Sequence, residues 1–204
     1  MANQISNGVN IKNTVNFIFE INQLKRQRHS GFQLAGIKEP DSVAEHVMRA
    51  AQIGYILAVM EGDANPEKVA AMILIHDNGE ARIGDQHKVA ARYFNTKEAE
   101  HKAFSEQLER LSRGVAEKWQ KYFNEFENRN TKEGIIAKDA DWLEAAFQAK
   151  EYMDIGFYTG RWIENVAKAL ETKSAKLLIE EMRRTKFTDW WQGLKKMTYK
   201  KLYK

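Results

Sequence analysis

The 204-residue chain has no cysteine, only two prolines and no long uninterrupted apolar run. Each shortage excludes something. Without cysteine there is no disulfide framework, no thiolate metal site and no cysteine nucleophile. Two prolines fall far below the roughly 5% of average usage, and a β-rich chain with many turns would carry more, so composition points to helix. No stretch approaches the ~18 continuous apolar residues of a membrane-spanning helix. The opening MANQISNGVNIKN lacks the charged-then-apolar order of a secretory signal. A cytoplasmic location and no membrane partner are therefore expected. Charge of one sign is also scarce: 32 basic against 28 acidic residues leave +4. Much of that excess sits in Lys195, Lys196, Lys200, Lys201 and Lys204. Such an end is usually solvated, so nucleic acid is not the expected partner.

What is present is an ordinary globular composition, 43% hydrophobic and 29% charged, in one domain's length of chain. Successive helices account for it. Val15, Ile18, Phe19, Asn22 and Leu24 fall roughly on helical spacing within 13–27, and 29–41 reads as a connector. Ser42-Val-Ala-Glu45 has the form of a capping box. It opens a helix whose Val43, Val47, Ala50, Gly54 and Leu57 share one face, and Gly62 ends it. Asn65-Pro66 starts another, carrying Val69, Ala70, Ile73 and Leu74 inward and stopping at His76-Asp77-Asn78-Gly79. After a loop at 84–96, helices are expected at 97–113, 115–128, 131–153, 160–171, 174–185 and 188–202. The 131–153 segment is apolar on most sides and belongs at the centre of a bundle. The aromatic segments Trp119–Phe126 and Trp190-Trp191 suit core and subunit contacts. The expected fold is all-α, a single-domain helical bundle.

The functional clue is polarity in the wrong place. His46 lies beside the Val43–Val47–Ala50 stripe, an apolar run carries His76-Asp77 to a helix end, and Asp139 and Asp141 sit on the central helix. Buried carboxylates are costly unless paired or bound to a cation, and one divalent metal would relieve all of them together. Imidazole with carboxylate suits Mn, Co, Fe, Ni, Zn or Mg. The positive end of the His46 helix is expected to lower that residue's pKa, favouring the neutral ring a metal needs. On a helical wheel Asp139 shares an arc with Ile135, Leu143 and Phe147, whereas Asp141 falls near Glu144 and Gln148. Periodicity alone does not choose between the two aspartates.

His46, then His76-Asp77 thirty residues on, then an Asp on a later helix, resembles the H…HD…D pattern of the HD-domain metal-dependent phosphohydrolases. Ser42-Val-Ala-Glu-His46, His76-Asp77-Asn-Gly-Glu80, Gly84-Asp85, the Lys88–Phe94 stretch and Lys138-Asp-Ala-Asp141 are similar to the 5′-deoxynucleotidase-type branch. The resemblance implies one HD-type domain over 1–204, with its motif core at about 15–155 and C-terminal helices at 156–204 packed on it. It implies one metal ion held by His46, His76, Asp77 and Asp141, and Glu80 and Asp85 as catalytic acid/base groups. It further implies release of phosphate from (deoxy)nucleoside 5′-monophosphates, and a homodimer. Related enzymes carry an Arg and a Trp in the connector. Here Phe32, fourteen residues before His46, takes the aromatic position, and the cation is Arg28, with Lys25 or His29 as alternatives. Lys88 is placed to reach the phosphate and His87 to contact substrate, while His101, among Lys97, Glu98, Glu100 and Lys102, reads as a solvated helix face. The competing readings are another HD-type hydrolase, acting on nucleoside triphosphates or cyclic nucleotides, a two-iron HD oxygenase, and a non-catalytic regulatory HD module.

Overall fold

A computed structural model describes residues 4–5 and 9–194. The lysine-rich end, with the later part of the helix expected over 188–202, lies outside them. The described chain is a single-domain helical bundle. Its helices are α1 (Ile11–Ile21), the one-turn α2 (Ser30–Gln33), α3 (Val43–Glu61), α4 (Pro66–Ile75) and the one-turn α5 (Glu80–Ile83). There follow α6 (Thr96–Leu108), α7 (Arg113–Asn128), α8 (Lys132–Asp154), α9 (Gly160–Ala169) and α10 (Lys173–Arg184). The strands among the described residues are a two-residue antiparallel pair, Gln4–Ile5 with Val9–Asn10.

The helix starts follow from local chemistry. At α3 the Ser42 N–H donates to Glu45 Oε2 at 2.6 Å and the Glu45 N–H to Ser42 Oγ at 3.3 Å, a complete capping box. At α4 the Asn65 side chain accepts from the Lys68 N–H at 2.9 Å, with Pro66 at the first helical position. Gly62 ends α3 at φ +84°, a conformation open chiefly to glycine.

Helix α8 is the axis of the molecule. No residue from 132 to 152 is exposed, because α3, α4, α7, α9 and α10 all pack against it. Leu57, Met72, Ile73, Ile136 and Leu143 are fully buried between these helices. The approach of α3 is close. A Cβ on Gly54 would lie 2.9 Å from Val69 Cγ1 of α4 and 3.4 Å from Ala140 Cβ of α8. A second cluster, Ile75, Phe104, Leu108 and Phe123, packs α6 and α7 against the end of α4.

Several expectations are corrected. In α1 the buried residue is Phe17, against Trp119, while Val15, Ile18 and Phe19 face outward. Leu74 is exposed and Met72 takes its place in the core. The 97–113 segment breaks at Leu108, and the connector contains α2. Trp190 and Trp191 sit on an exposed 3-10 turn and are not core residues, whereas Phe123 and Phe126 are.

Asp139 has a structural task. It is 1% exposed and accepts from the Glu171 N–H (3.0 Å), the Thr172 N–H (2.7 Å) and Thr172 Oγ1 (2.7 Å), stapling α8 to the start of α10. Asp139→Ala strands those buried donors. The expected cost is about 1–3 kcal/mol in thermal denaturation, with metal binding retained. Unchanged stability would contradict the staple.

Candidate metal centre

Three helices bring the misplaced polar groups to one point. The capping box sets the start of α3 so that His46, one turn in, faces the interior at 3% exposure. His76 is the C-cap of α4, where the apolar run ends, and the turn after it is tight. A Cβ on Gly79 would lie 2.7 Å from the Glu100 carbonyl oxygen of α6, so the chain can pass there only as glycine. Asp141 comes from α8. His46 Nε2 lies 3.1 Å from Asp141 Oδ1 and 3.8 Å from Asp77 Oδ2. His76 Nε2 lies 3.0 Å from Asp77 Oδ1 and 3.7 Å from Asp141 Oδ1.

Both rings are oriented through their other nitrogen. His76 Nδ1 is 2.7 Å from the Ile73 carbonyl, so it carries the proton there. His46 Nδ1 meets Glu144 Oε2. Each ring thus turns Nε2 toward the aspartates. Asp141 Oδ2 is held by Lys138 Nζ at 2.9 Å, and that ammonium lies 4.4 Å from the Phe126 ring centroid.

Donor atoms of His46, His76 and Asp77 lie within 4.8 Å of one another. A buried set of two imidazoles and a carboxylate, each already oriented by a neighbour, fits one divalent cation. Asp141 Oδ1 faces both rings, 3.1 Å from His46 Nε2 and 3.7 Å from His76 Nε2, at the edge of this three-residue group. Asp139 does not, because its carboxylate is turned to α10. His101 is exposed on α6, as its neighbours suggested.

The electrostatics of the metal-free site reverse one expectation. Burial alone would lower the pKa of His46, and so would the helix end. The carboxylates of Asp141 and Glu144 overrule both and hold it well above the ordinary imidazole value. Burial likewise opposes the charge on His76, yet Asp77 and Asp141 raise its pKa to about 9. Against the raising effect of burial, His76 lowers the pKa of Asp77, and Lys138 with both histidines holds Asp141 well below the carboxylate range.

Glu80 behaves oppositely. It opens α5 at 8% exposure, and its Oε2 has no hydrogen-bond partner. Burial first, then the negative charges of Asp77, Asp85 and Glu100, push its pKa well above the usual range, in the direction that favours the protonated carboxyl. Glu100 of α6 is raised to about 7, by burial and then by Asp77 and Glu127. Asp85 Oδ2 accepts from the Ser30 N–H at 2.6 Å and the His87 N–H donates to Ser30 Oγ at 2.9 Å, tying the 85–87 loop to α2.

The connector residues are placed differently from expectation. Arg28 is turned to the Pro40 carbonyl (3.2 Å), Glu39 (3.5 Å) and Glu45 (3.8 Å). His29, held as an alternative, lies against the centre instead, its ring centroid 4.6 Å from that of His46. Phe32 is 3% exposed, packed on Trp162 and edge-on to Tyr152, so it presents no open face for stacking. Lys88 is exposed on a turn. Sequence reasoning missed Glu144 and Arg49. Their signal was the i, i+3 spacing from Asp141 and His46 on two helices that meet.

Comparison with known proteins agrees with this geometry. The family model described as "HD domain" matches residues 21–182. A Dictyostelium discoideum protein named 5′-deoxynucleotidase HDDC2 is 30% identical over 151 residues, 70% of this chain and 78% of that protein. The Bos taurus protein of the same name is 27% identical over 158 residues, 76% of this chain and 75% of that protein. A solved structure of a conserved hypothetical protein from Pyrococcus furiosus superposes with a TM-score of 0.72 at 32% identity, covering 84% of this chain and 99% of that one.

The pKa pattern sets the pH dependence of metal uptake. In the metal-free protein the raised pKa values of both histidines favour the doubly protonated ring, and a metal needs the Nε2 lone pairs. Mn(II) affinity is therefore expected to rise from about pH 6 toward the His76 value of about 9, with proton release on binding. Titration calorimetry in two buffers of different ionisation heat measures both; a pH-independent affinity without proton release contradicts it.

Proposed function

The chain belongs to the HD-domain family, close to its 5′-deoxynucleotidase branch, and from that premise we propose that it releases phosphate from (deoxy)nucleoside 5′-monophosphates. The coarser reading, a metal-dependent HD-type hydrolase, rests on the family match and the buried His46/His76/Asp77 cluster. The observation that carries the finer one is the convergence of two Nε2 atoms with the carboxylates of Asp77 and Asp141, under a relative-based expectation of nucleotide substrate. In this reading His46, His76, Asp77 and Asp141 are the metal ligands.

A divalent cation held by these residues would lower the pKa of a bound water and offset phosphate charge. The chain's own groups supply the rest. Glu80, whose pKa burial and neighbouring carboxylates raise, donates a proton to the leaving 5′-oxygen. Asp85 spends Oδ2 on the Ser30 N–H and, among the described residues, leaves Oδ1 without a hydrogen bond, available to take a proton from the attacking water. His29 replaces Arg28 as the cation beside the phosphate. Burial opposes its charge, but Asp41, 3.1 Å from its Nδ1, raises its pKa. Two copies of the chain acting together are supported by an uncharged exposed stripe on α3: Met48, Tyr55, Ile56, Val59 and Met60. Sedimentation of a monomer at working concentrations would remove that element.

Phosphate release from a panel of nucleotides with Mn, Co or Mg tests the proposal. Orthophosphate from 5′-monophosphates is expected; pyrophosphate from triphosphates would favour the other HD-type chemistry. Glu80→Gln is expected to lower kcat by about 100- to 10,000-fold. His29→Ala should raise KM by about tenfold or more, with Arg28→Ala close to wild type. Full turnover in Glu80→Gln removes the proton donor from the mechanism.

A further inference from the structure

The two histidines are oriented by different kinds of support. His76 Nδ1 rests on a main-chain carbonyl of its own helix, which every sequence supplies. His46 Nδ1 rests on a side chain, Glu144 Oε2, from another helix. That carboxylate is 1% exposed and would be costly to bury alone. It is not alone. Arg49, one turn beyond His46 on α3, donates from Nε to Glu144 Oε1 at 2.7 Å. The same guanidinium reaches Glu151 Oε1 at 2.7 Å and Gln148 Oε1 at 2.8 Å. Residues 144, 148 and 151 lie along one face of α8, so the planar fork of Arg49 spans nearly two turns of the facing helix.

His46 is thereby gripped on both edges by one turn of α8, with Asp141 at Nε2 and Glu144 at Nδ1. We propose that Glu144 and Arg49 are a positioning pair: Glu144 holds the Nδ1–H of His46 so that Nε2 is the atom offered to the cation, and Arg49 holds Glu144. This rests on the metal reading above. Their effect passes through the ring they orient, and a histidine whose other nitrogen is fixed by a carboxylate is both better aimed and a stronger donor.

The test is metal affinity rather than turnover. Wild-type protein, stripped and titrated with Co(II), sets the reference; if it binds no metal, the functional reading fails before any variant is made. Glu144→Gln keeps the size of the side chain and is expected to weaken Co(II) binding by about 10- to 100-fold. Glu151→Gln removes the charge of one partner of Arg49 but leaves both contacts of Glu144, and should bind within about twofold of wild type. A structural ion pair alone would not alter the ring chemistry. Histidine ¹⁵N spectra of the Zn(II)-loaded protein are therefore expected to show the His46 Nδ1–H shifted by its charged carboxylate acceptor in wild type, with that shift reduced in Glu144→Gln. Wild-type affinity together with an unchanged ring pattern in Glu144→Gln overturns the proposal. If that variant does not fold, Arg49→Met decides: the same loss of affinity supports the pair, and wild-type affinity overturns it.

Discussion

Removing ionised groups from water at the junction of α3, α4 and α8 is the constraint around which this molecule is arranged. Two imidazoles and the carboxylates of Asp77, Asp141 and Glu144 lie in that junction, and each would be strongly destabilising there without a partner of opposite sign. The surrounding packing keeps the partners at contact distance. Gly54 lets α3 come close to both α4 and α8, the capping box sets the register of His46, and Gly79 lets α6 pass over the His76–Asp77 turn. A metal would take the place of the histidine protons whose charge balances the carboxylates, so metal uptake and the packing of these helices are thermodynamically linked.

The same junction shifts carboxyl pKa values in two opposite directions. Asp77 and Asp141, beside imidazoles and an ammonium, stay ionised, while buried Glu80 and half-buried Glu100, facing other acids, hold on to a proton at higher pH. Chemistry on a phosphomonoester uses both kinds, anions to hold a cation and a neutral acid to protonate a leaving oxygen. The separation comes from burial and neighbouring charge rather than from residue type.

Much of the fold was legible because its signals are local. Ser42…Glu45, Asn65-Pro66 and Gly62 mark helix ends through bonds that span a few residues, and the structure forms them as read. Inward faces were less secure. Short stretches such as 15–24 contain enough apolar residues to draw a stripe on either side, and only the presence of Trp119 selects Phe17 over Phe19. Leu74 and Met72 changed places for the same reason. Phe32 carries the signature of an exposed binding aromatic in the connector, yet Trp162 and Tyr152, more than a hundred residues away, enclose it.

What the sequence by itself determined is the inventory: an all-helical chain without thiols, with His46, His76-Asp77 and two aspartates set where helices must be buried. Those conclusions depend on spacing along one helix, and spacing is written in the chain. Only the tertiary structure decided which aspartate faces the histidines, that His29 rather than Arg28 lies beside them, and that half-buried Arg49 braces buried Glu144 against His46. Such choices depend on which face of one helix meets which face of another. That is settled by packing among α3, α4 and α8 together, and no periodicity within a single helix contains it.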